Sequence, residues 1–133
     1  MRNTKLFVFI ALSIIILDQI SKFLLKDVHY GIINYVTNTG VAFSLFQNGG
    51  IYLILISVIA LFFIVYFYLK YPKLVIPLAF ILGGTIGNLI DRILFGYVRD
   101  FIDFKIWPIF NVADSFNVIG ILILVYFIWK DRI

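Results

Sequence analysis

Long apolar runs dominate the chain, and short polar segments separate them. Four runs predict helices long enough to span a bilayer, at about residues 6–25, 51–69, 74–91 and 111–129. The second run carries no charge, and Pro77 falls in the first turn of the third, where proline is tolerated. The pattern therefore predicts an all-α integral membrane protein with a single membrane domain over residues 1–133.

The segment between the first two spans is long and has a different pattern. Residues 32–46 are rich in β-branched and aromatic side chains, with Asn38, Thr39 and Gly40 in the middle. This pattern predicts a small β-hairpin or cradle on the outer membrane surface. Gly40 is expected at a turn, in a backbone conformation that other residues avoid.

Composition supports the membrane assignment. The chain is 63% hydrophobic and 14% charged, whereas soluble domains carry roughly a quarter charged residues. Its outer surface must therefore face lipid. The net charge of +4 fits orientation in a membrane better than nucleic-acid binding. The absence of cysteine excludes disulfides, thiol nucleophiles and thiolate metal sites.

The distribution of charge predicts the orientation of the spans. Four spans place both termini on one side, and the charges on that side are nearly all positive. The positive-inside rule makes that side cytoplasmic, so residues 27–50 and 91–110 are expected outside. The outer side instead carries a mixed-charge cluster. The basic residues assigned to the inner side are Arg2, Lys5, Lys70, Lys73, Lys130 and Arg132.

Several polar residues lie near the outer ends of the predicted spans. Asp18 and Lys22 are four apart and can pair on one helix face. They form either a structural ion pair or a site where Lys22 meets a lipid or substrate headgroup. Asn88, Asp91 and Arg92 share one face of the third span, where contact with lipid would be costly. We therefore expect them to line a cavity, with Asp91 and Arg92 as a bracing pair.

Aspartates are the best candidates for chemistry. Two carboxylates held close cannot both ionise easily, so one can activate water while the other protonates a carbonyl oxygen. Asp114 opens the fourth span, and Asp100 and Asp103 compete for the second place. In an extended segment those two point to opposite faces, so only one can meet Asp114. The lone histidine, His29, has no serine motif nearby, and no HExxH zinc motif exists.

Five segments in chain order resemble the lipoprotein signal peptidases, also called type II signal peptidases. They are residues 18–22, 38–44, 83–92, 96–101 and 110–115. The resemblance implies a membrane aspartyl endopeptidase that removes the signal peptide from bacterial prolipoproteins. It would cut before the diacylglyceryl-modified cysteine.

The resemblance also implies a setting for the enzyme. It implies the bacterial cytoplasmic (inner) membrane, with the active site toward the outer leaflet. The expected partners are prolipoproteins and membrane lipids, without nucleic acid, and a monomer is expected. Neither a metal nor another cofactor is expected, and globomycin-type cyclic peptides should inhibit.

Matching positions assign roles to individual residues. Asp100 and Asp114 become the catalytic pair. Arg99 stands where the family usually has an apolar residue, and it is expected either to lower the pKa of Asp100 or to point to headgroups. The residues expected to bind substrate or brace the site are Asn38, Gly40, Asn88, Asp91, Arg92, Asn111, Asp18 and Lys22.

The alternative function is a small non-enzymatic proton-coupled transporter or channel subunit, because intramembrane aspartates also relay protons. A relay needs polar residues through the depth of the bilayer. Here the acidic residues gather at one end of the predicted spans. A lipid-binding scaffold is a third possibility, and it predicts that aspartate substitutions are harmless.

Overall fold

The computed structural model describes residues 3–40 and 48–130. Its long helices are α1 (Thr4–Leu24), α2 (Gly50–Lys70), α3 (Val75–Phe95) and α4 (Val112–Trp129). All four are long and apolar enough to cross a membrane. The predicted fold class is therefore confirmed. A short 3-10 helix, Pro72–Leu74, makes the tight connection from α2 to α3.

Helix α3 is the centre of the bundle and packs against the other three helices. In its most apolar stretch 61% of the residues are buried, against 11% in both α2 and α4. The small residues of α3 permit this packing. A Cβ on Gly83 would lie 2.8 Å from the Cβ of Ile14 in α1, so a larger residue there would push the helices apart.

Helix α3 runs four residues beyond its predicted end at 91. The approximate bound of 91 marked the end of the apolar run, and the helix itself ends at Phe95. Asp91 is fully buried within the bundle and Arg92 is only partly exposed, so the helix continues past both. It stops at Gly96, whose positive φ of 77° forms the C-cap and whose N–H donates to the carbonyl of Arg92.

A small antiparallel sheet covers one end of the bundle. It contains β1 (His29–Tyr30), β2 (Ile33–Asn38) and β3 (Val98–Ile102), in the order β1-β2-β3. In the β2–β3 register Val36 lies opposite Asp100. Asp100 thus lies in a strand, within the kind of extended segment considered from its sequence.

The predicted small β-structure is confirmed, but the described partners of strand β2 lie outside residues 32–46. Strand β2 pairs with β1, which precedes it, and with β3 from the segment between α3 and α4. Residues 41–47 lie outside the described residues. The expected backbone conformation of Gly40 therefore stays a prediction. The consequence for function is that β2 and β3 together carry Asn38 and Asp100 to the end of the bundle where α4 begins.

Candidate active site

The start of α4 fixes the position of Asp114. Asn111 is the N-cap, and its side-chain oxygen accepts the Asp114 N–H at 2.9 Å. The Asp114 carboxylate in turn accepts the Asn111 N–H at 3.0 Å, which completes a capping box. Its other oxygen accepts the side-chain amide of Asn88 at 2.8 Å. The carboxylate of Asp114 is therefore held from both α3 and α4.

Asp100 approaches the same place from the sheet. It is 3% exposed, and its carboxylate accepts the amide of Asn111 at 2.7 Å and that of Asn38 at 3.2 Å. Burial raises the pKa of Asp100 to about 7, and the nearby charge of Asp114 adds to that rise. Asn111 thus hydrogen-bonds both carboxylates, through its side-chain amide to Asp100 and through its backbone N–H to Asp114.

A cavity of about 260 Å³ opens onto both carboxylates. Arg92 lines it and has no hydrogen bond or ion pair with any described residue, although its charge lies near Asp100 and Asp114. The guanidinium is thus available to a molecule in the cavity. The residues predicted from the sequence that line this cavity are Asn38, Gly40, Asn88, Arg92, Asp100 and Asp114.

Asp18 and Lys22 form a buried cluster beneath this cavity. Both side chains are 0% exposed, and their charged atoms lie 2.8 Å apart. Lys22 also lies 3.3 Å from Asp91 and donates to Asn88 at 2.9 Å. Complete burial contradicts the possibility that Lys22 meets a headgroup, so the structural ion pair is the correct interpretation. Asp18 also accepts the Ala113 N–H at 2.9 Å, which ties α1 to the start of α4.

Arg99 does neither of the two things expected from the sequence. Its guanidinium donates hydrogen bonds to both carboxylate oxygens of Asp91, at 2.8 and 3.1 Å, and to the side-chain oxygen of Gln19 at 2.9 Å. It also lies 4.7 Å above the ring of Phe95. These bonds turn Arg99 inward, away from headgroups, and the pKa of Asp100 is raised rather than lowered. We call this arrangement the Arg99 clamp.

The Arg99 clamp also corrects the predicted Asp91–Arg92 pair. Asp91 forms its ion pairs with Arg99 and Lys22. Arg92 forms no ion pair with any described residue and lines the cavity instead. Asp91 braces the site as expected, but through other residues.

Asp103 lies away from the cavity and has partners of its own. It accepts the amide of Asn34 at 2.9 Å and lies 2.6 Å from the ammonium of Lys105. These bonds, with Lys105 the largest cause, lower the pKa of Asp103 to about 2. The expected opposite orientation of Asp100 and Asp103 agrees with this geometry.

Sequence reasoning missed several residues of the cavity wall. Asn117 was recognisable in principle, because it is polar within an apolar span and lies three residues after Asp114. The loop residues before α4 carried no signal of this kind. Within residues 3–40 and 48–130 no group of three or more His, Cys, Asp or Glu side chains could hold a metal ion. The missed residues are Val98, Trp107, Pro108, Ile109, Phe110, Asn117 and Val118.

Comparison with known proteins identifies the family. Residues 10–130 match the model of a peptidase family described as signal peptidase (SPase) II. The chain belongs to the signal peptidase II family. It is therefore a multi-pass membrane peptidase of lipoprotein processing, as the resemblance predicted, and the transporter alternative loses its support.

Individual relatives agree with this assignment. The lipoprotein signal peptidase of Halothermothrix orenii is 38% identical, over 92% of this chain and 94% of the relative. That of Caldanaerobacter subterraneus subsp. tengcongensis is 43% identical, over 85% and 88%. A solved structure of a bacterial membrane enzyme has 28% identity and a TM-score of 0.91, covering 98% of this chain and 92% of its own.

Proposed function

We propose that this peptidase is of the aspartic type and that it cuts prolipoproteins immediately before the diacylglyceryl-modified cysteine. The observation that carries the proposal is the meeting of Asp100 and Asp114 at one cavity, with Asn111 hydrogen-bonded to both. A pKa of about 7 for Asp100 supports a pair that keeps one proton at neutral pH.

Hydrolysis by this pair needs no covalent intermediate. The ionised carboxyl takes a proton from water as the water oxygen attacks the carbonyl carbon. The protonated carboxyl gives its proton to the carbonyl oxygen. The tetrahedral intermediate then collapses, the carbon–nitrogen bond breaks, and the cysteine amine leaves with a proton from the pair. Because the groups exchange protons, the pair is best treated as one titrating unit.

The cavity wall suggests how the peptide is held. Arg92 is a cation without a protein partner among the described residues, and it faces the space beside the two aspartates. In this proposal it binds a substrate backbone carbonyl. Asn38 would hold Asp100 in place through the 3.2 Å bond, while Asn88 does the same for Asp114.

An apolar cleft beside the cavity supports a lipidated substrate. The two spaces share Trp107, Phe110, Asp114 and Val118 in their walls. The cleft measures about 380 Å³, and an acyl chain that entered it would place the modified cysteine next to Asp114. The remaining wall residues of the cleft are Phe104, Ser115 and Ile119.

The decisive experiment compares cleavage of two matched precursors in a gel-shift assay. A diacylglyceryl-modified prolipoprotein should be shortened by the wild type, and the same chain without the lipid should remain uncut. Mass spectrometry should place the new N-terminus at the modified cysteine. Asp103→Asn is the matched control, since Asp103 lies outside the cavity. Equal cleavage of both precursors, or a cut elsewhere, would overturn the proposal.

We further propose that the protein lies in the bacterial cytoplasmic membrane with both termini in the cytoplasm. The basic inner ends and the four spans support this orientation. Reporter fusions at Lys73 and Lys105 should give opposite signals. The same signal at both positions would contradict the proposed topology.

A further inference from the structure

Asn117 is a polar side chain inside the membrane span α4. It lies three residues beyond Asp114, so the two side chains share a face of the helix. Both line the same cavity. A rise of about 1.5 Å per residue places Asn117 roughly 4.5 Å deeper along α4 than Asp114.

Helix α3 makes room for Asn117 and fixes its orientation. A Cβ on Gly84 would lie 2.5 Å from the side-chain oxygen of Asn117, so only glycine leaves this space open. The same oxygen accepts the hydroxyl of Thr85 at 3.5 Å. The oxygen therefore faces α3.

The amide nitrogen of Asn117 is left without a partner. It makes no hydrogen bond with any described residue. Every fully buried side-chain nitrogen among the described residues has a hydrogen-bond partner, so the Asn117 nitrogen is not fully buried. The nitrogen is therefore accessible, and the space that Asn117 lines is the cavity. Within a membrane span, two unpaired N–H donors are costly unless something in the cavity accepts them.

The accepting group must carry a lone pair, and a peptide substrate offers its backbone carbonyls. Those carbonyls are free only where the peptide is not helical. The signal-peptide side of the cleaved bond is the side that continues into the membrane. An extended chain advances about 3.3 Å per residue. The rise of roughly 4.5 Å from Asp114 to Asn117 therefore corresponds to one or two substrate residues.

We propose that Asn117 is a substrate-binding residue whose side-chain N–H groups hold a backbone carbonyl one or two residues before the cleaved bond. This inference rests on the proposed function. The bond would keep that stretch of the signal peptide unwound beside Asp100 and Asp114. None of the five segments that resemble the family contains Asn117.

The test pairs an enzyme variant with a modified substrate. Asn117→Leu keeps the size but removes the donors, and Asn117→Ala is a smaller variant that fits beside Gly84. Each should lower kcat/KM by about ten-fold or more, because a buried partner is left unsatisfied. Ser57→Ala is the matched control, since among the described residues the Ser57 hydroxyl bonds only to the carbonyl of Leu53 in its own helix. This control should cleave as the wild type does.

The substrate arm replaces single backbone amides by esters in the three residues before the cleaved bond. An ester carbonyl accepts hydrogen bonds more weakly, so one position should slow the wild type. With the ester at that position, kcat/KM of Asn117→Leu and Asn117→Ala should be no lower than with the all-amide substrate. A merely structural role of Asn117 would not give this result. Additive losses, or wild-type kcat/KM in both variants, would overturn this inference while leaving the proposed function intact. Failure of the wild type to cut the all-amide substrate would overturn both.

Discussion

Two pairs of aspartates lie close together in this protein, and their surroundings differ. Asp18 and Asp91 are fully buried and contact the cations Lys22 and Arg99. Asp100 and Asp114 instead accept hydrogen bonds from neutral amides and face a cavity. We call these the inner pair and the cavity pair.

This difference shows how four carboxylates of one chain can serve two separate roles. At the inner pair each negative charge has a cation within 3.3 Å, so both aspartates are suited to hold helices together. Neither aspartate of the cavity pair forms an ion pair with any described residue, and the pKa of Asp100 rises to about 7. A carboxyl with a pKa near 7 can hold a proton at neutral pH, as the proposed mechanism requires. Substitutions should therefore affect stability at one pair and cleavage at the other.

The largest expected effect is on cleavage. Asp100→Asn and Asp114→Asn should each reduce the rate by about 10²–10⁴-fold, because an amide neither takes nor gives the needed proton. The double variant should be little worse than either single one. A cleavage assay with purified variants measures this.

Protein level and insertion should persist in these variants, and Asp103→Asn should keep most activity. A dead Asp103→Asn together with an active Asp100→Asn would reverse the assignment. Wild-type rates in all three variants would refute an aspartyl mechanism.

The second effect is on stability and belongs to the inner pair. Arg99→Ala removes the clamp from buried Asp91 and should lower the free energy of unfolding by about 3 kcal/mol. Thermal unfolding in detergent measures it, with Lys105→Ala as the control. Lys105 is also paired with an aspartate but is 67% exposed, so its loss should have little effect.

A double-mutant cycle sharpens this result. If Asp91 is already asparagine, removal of Arg99 should cost less, because no buried charge is left unpaired. An equal loss of unfolding free energy in both backgrounds would mean that the Arg99 clamp does not stabilise the protein through its charge.

The third effect is the pH dependence of the cavity pair. Since the pKa of Asp100 is raised from 3.8 to about 7 in the folded protein, the fold binds this proton more tightly than the unfolded chain does. The contribution of Asp100 to stability is therefore greatest at low pH and declines as pH rises from about 4 to 7. Cleavage should fall above about pH 7 as the shared proton is lost.

Unfolding measured against pH separates Asp100 from the other groups. Asp100→Asn should flatten the decline between pH 4 and 7, whereas Asp103→Asn should not. An unchanged profile for Asp100→Asn would contradict the raised pKa.

The smallest effect concerns Gly40, in the wall of the cavity that the cavity pair faces. Gly40 lines the cavity, and its N–H donates to the side-chain oxygen of Asn38 at 2.9 Å. Gly40→Val should therefore impair processing more than it impairs membrane insertion. A variant that processes normally would mean that this turn is not needed.

Local patterns in the sequence predicted the spans and one pair well. Apolar runs located the four helices, and the four-residue spacing predicted the bond between Asp18 and Lys22. Long-range pairing was not predictable in this way. Arg99, one of the two cations paired with Asp91, lies in strand β3, and β3 joins β2 from the segment between α3 and α4. Neither contact leaves a periodic signal in the chain.

The assignment of Asp100 over Asp103 shows the same limit. Their spacing implied opposite faces but gave no reason to prefer one, and the family resemblance supplied that preference. The structure adds the physical distinction: Asp103 is bound to a lysine, while Asp100 is buried against amides. Such a distinction depends on residues far apart in the chain.

The bond between the Ala113 N–H and Asp18 joins positions 95 residues apart. It ties the first span to the last, and Asp114 follows directly after Ala113. During synthesis the residues of the first three spans are all added before Ala113 and Asp114. The cavity pair can therefore assemble only after the fourth span has entered the bilayer, and a nascent chain remains without peptidase chemistry until its insertion is complete.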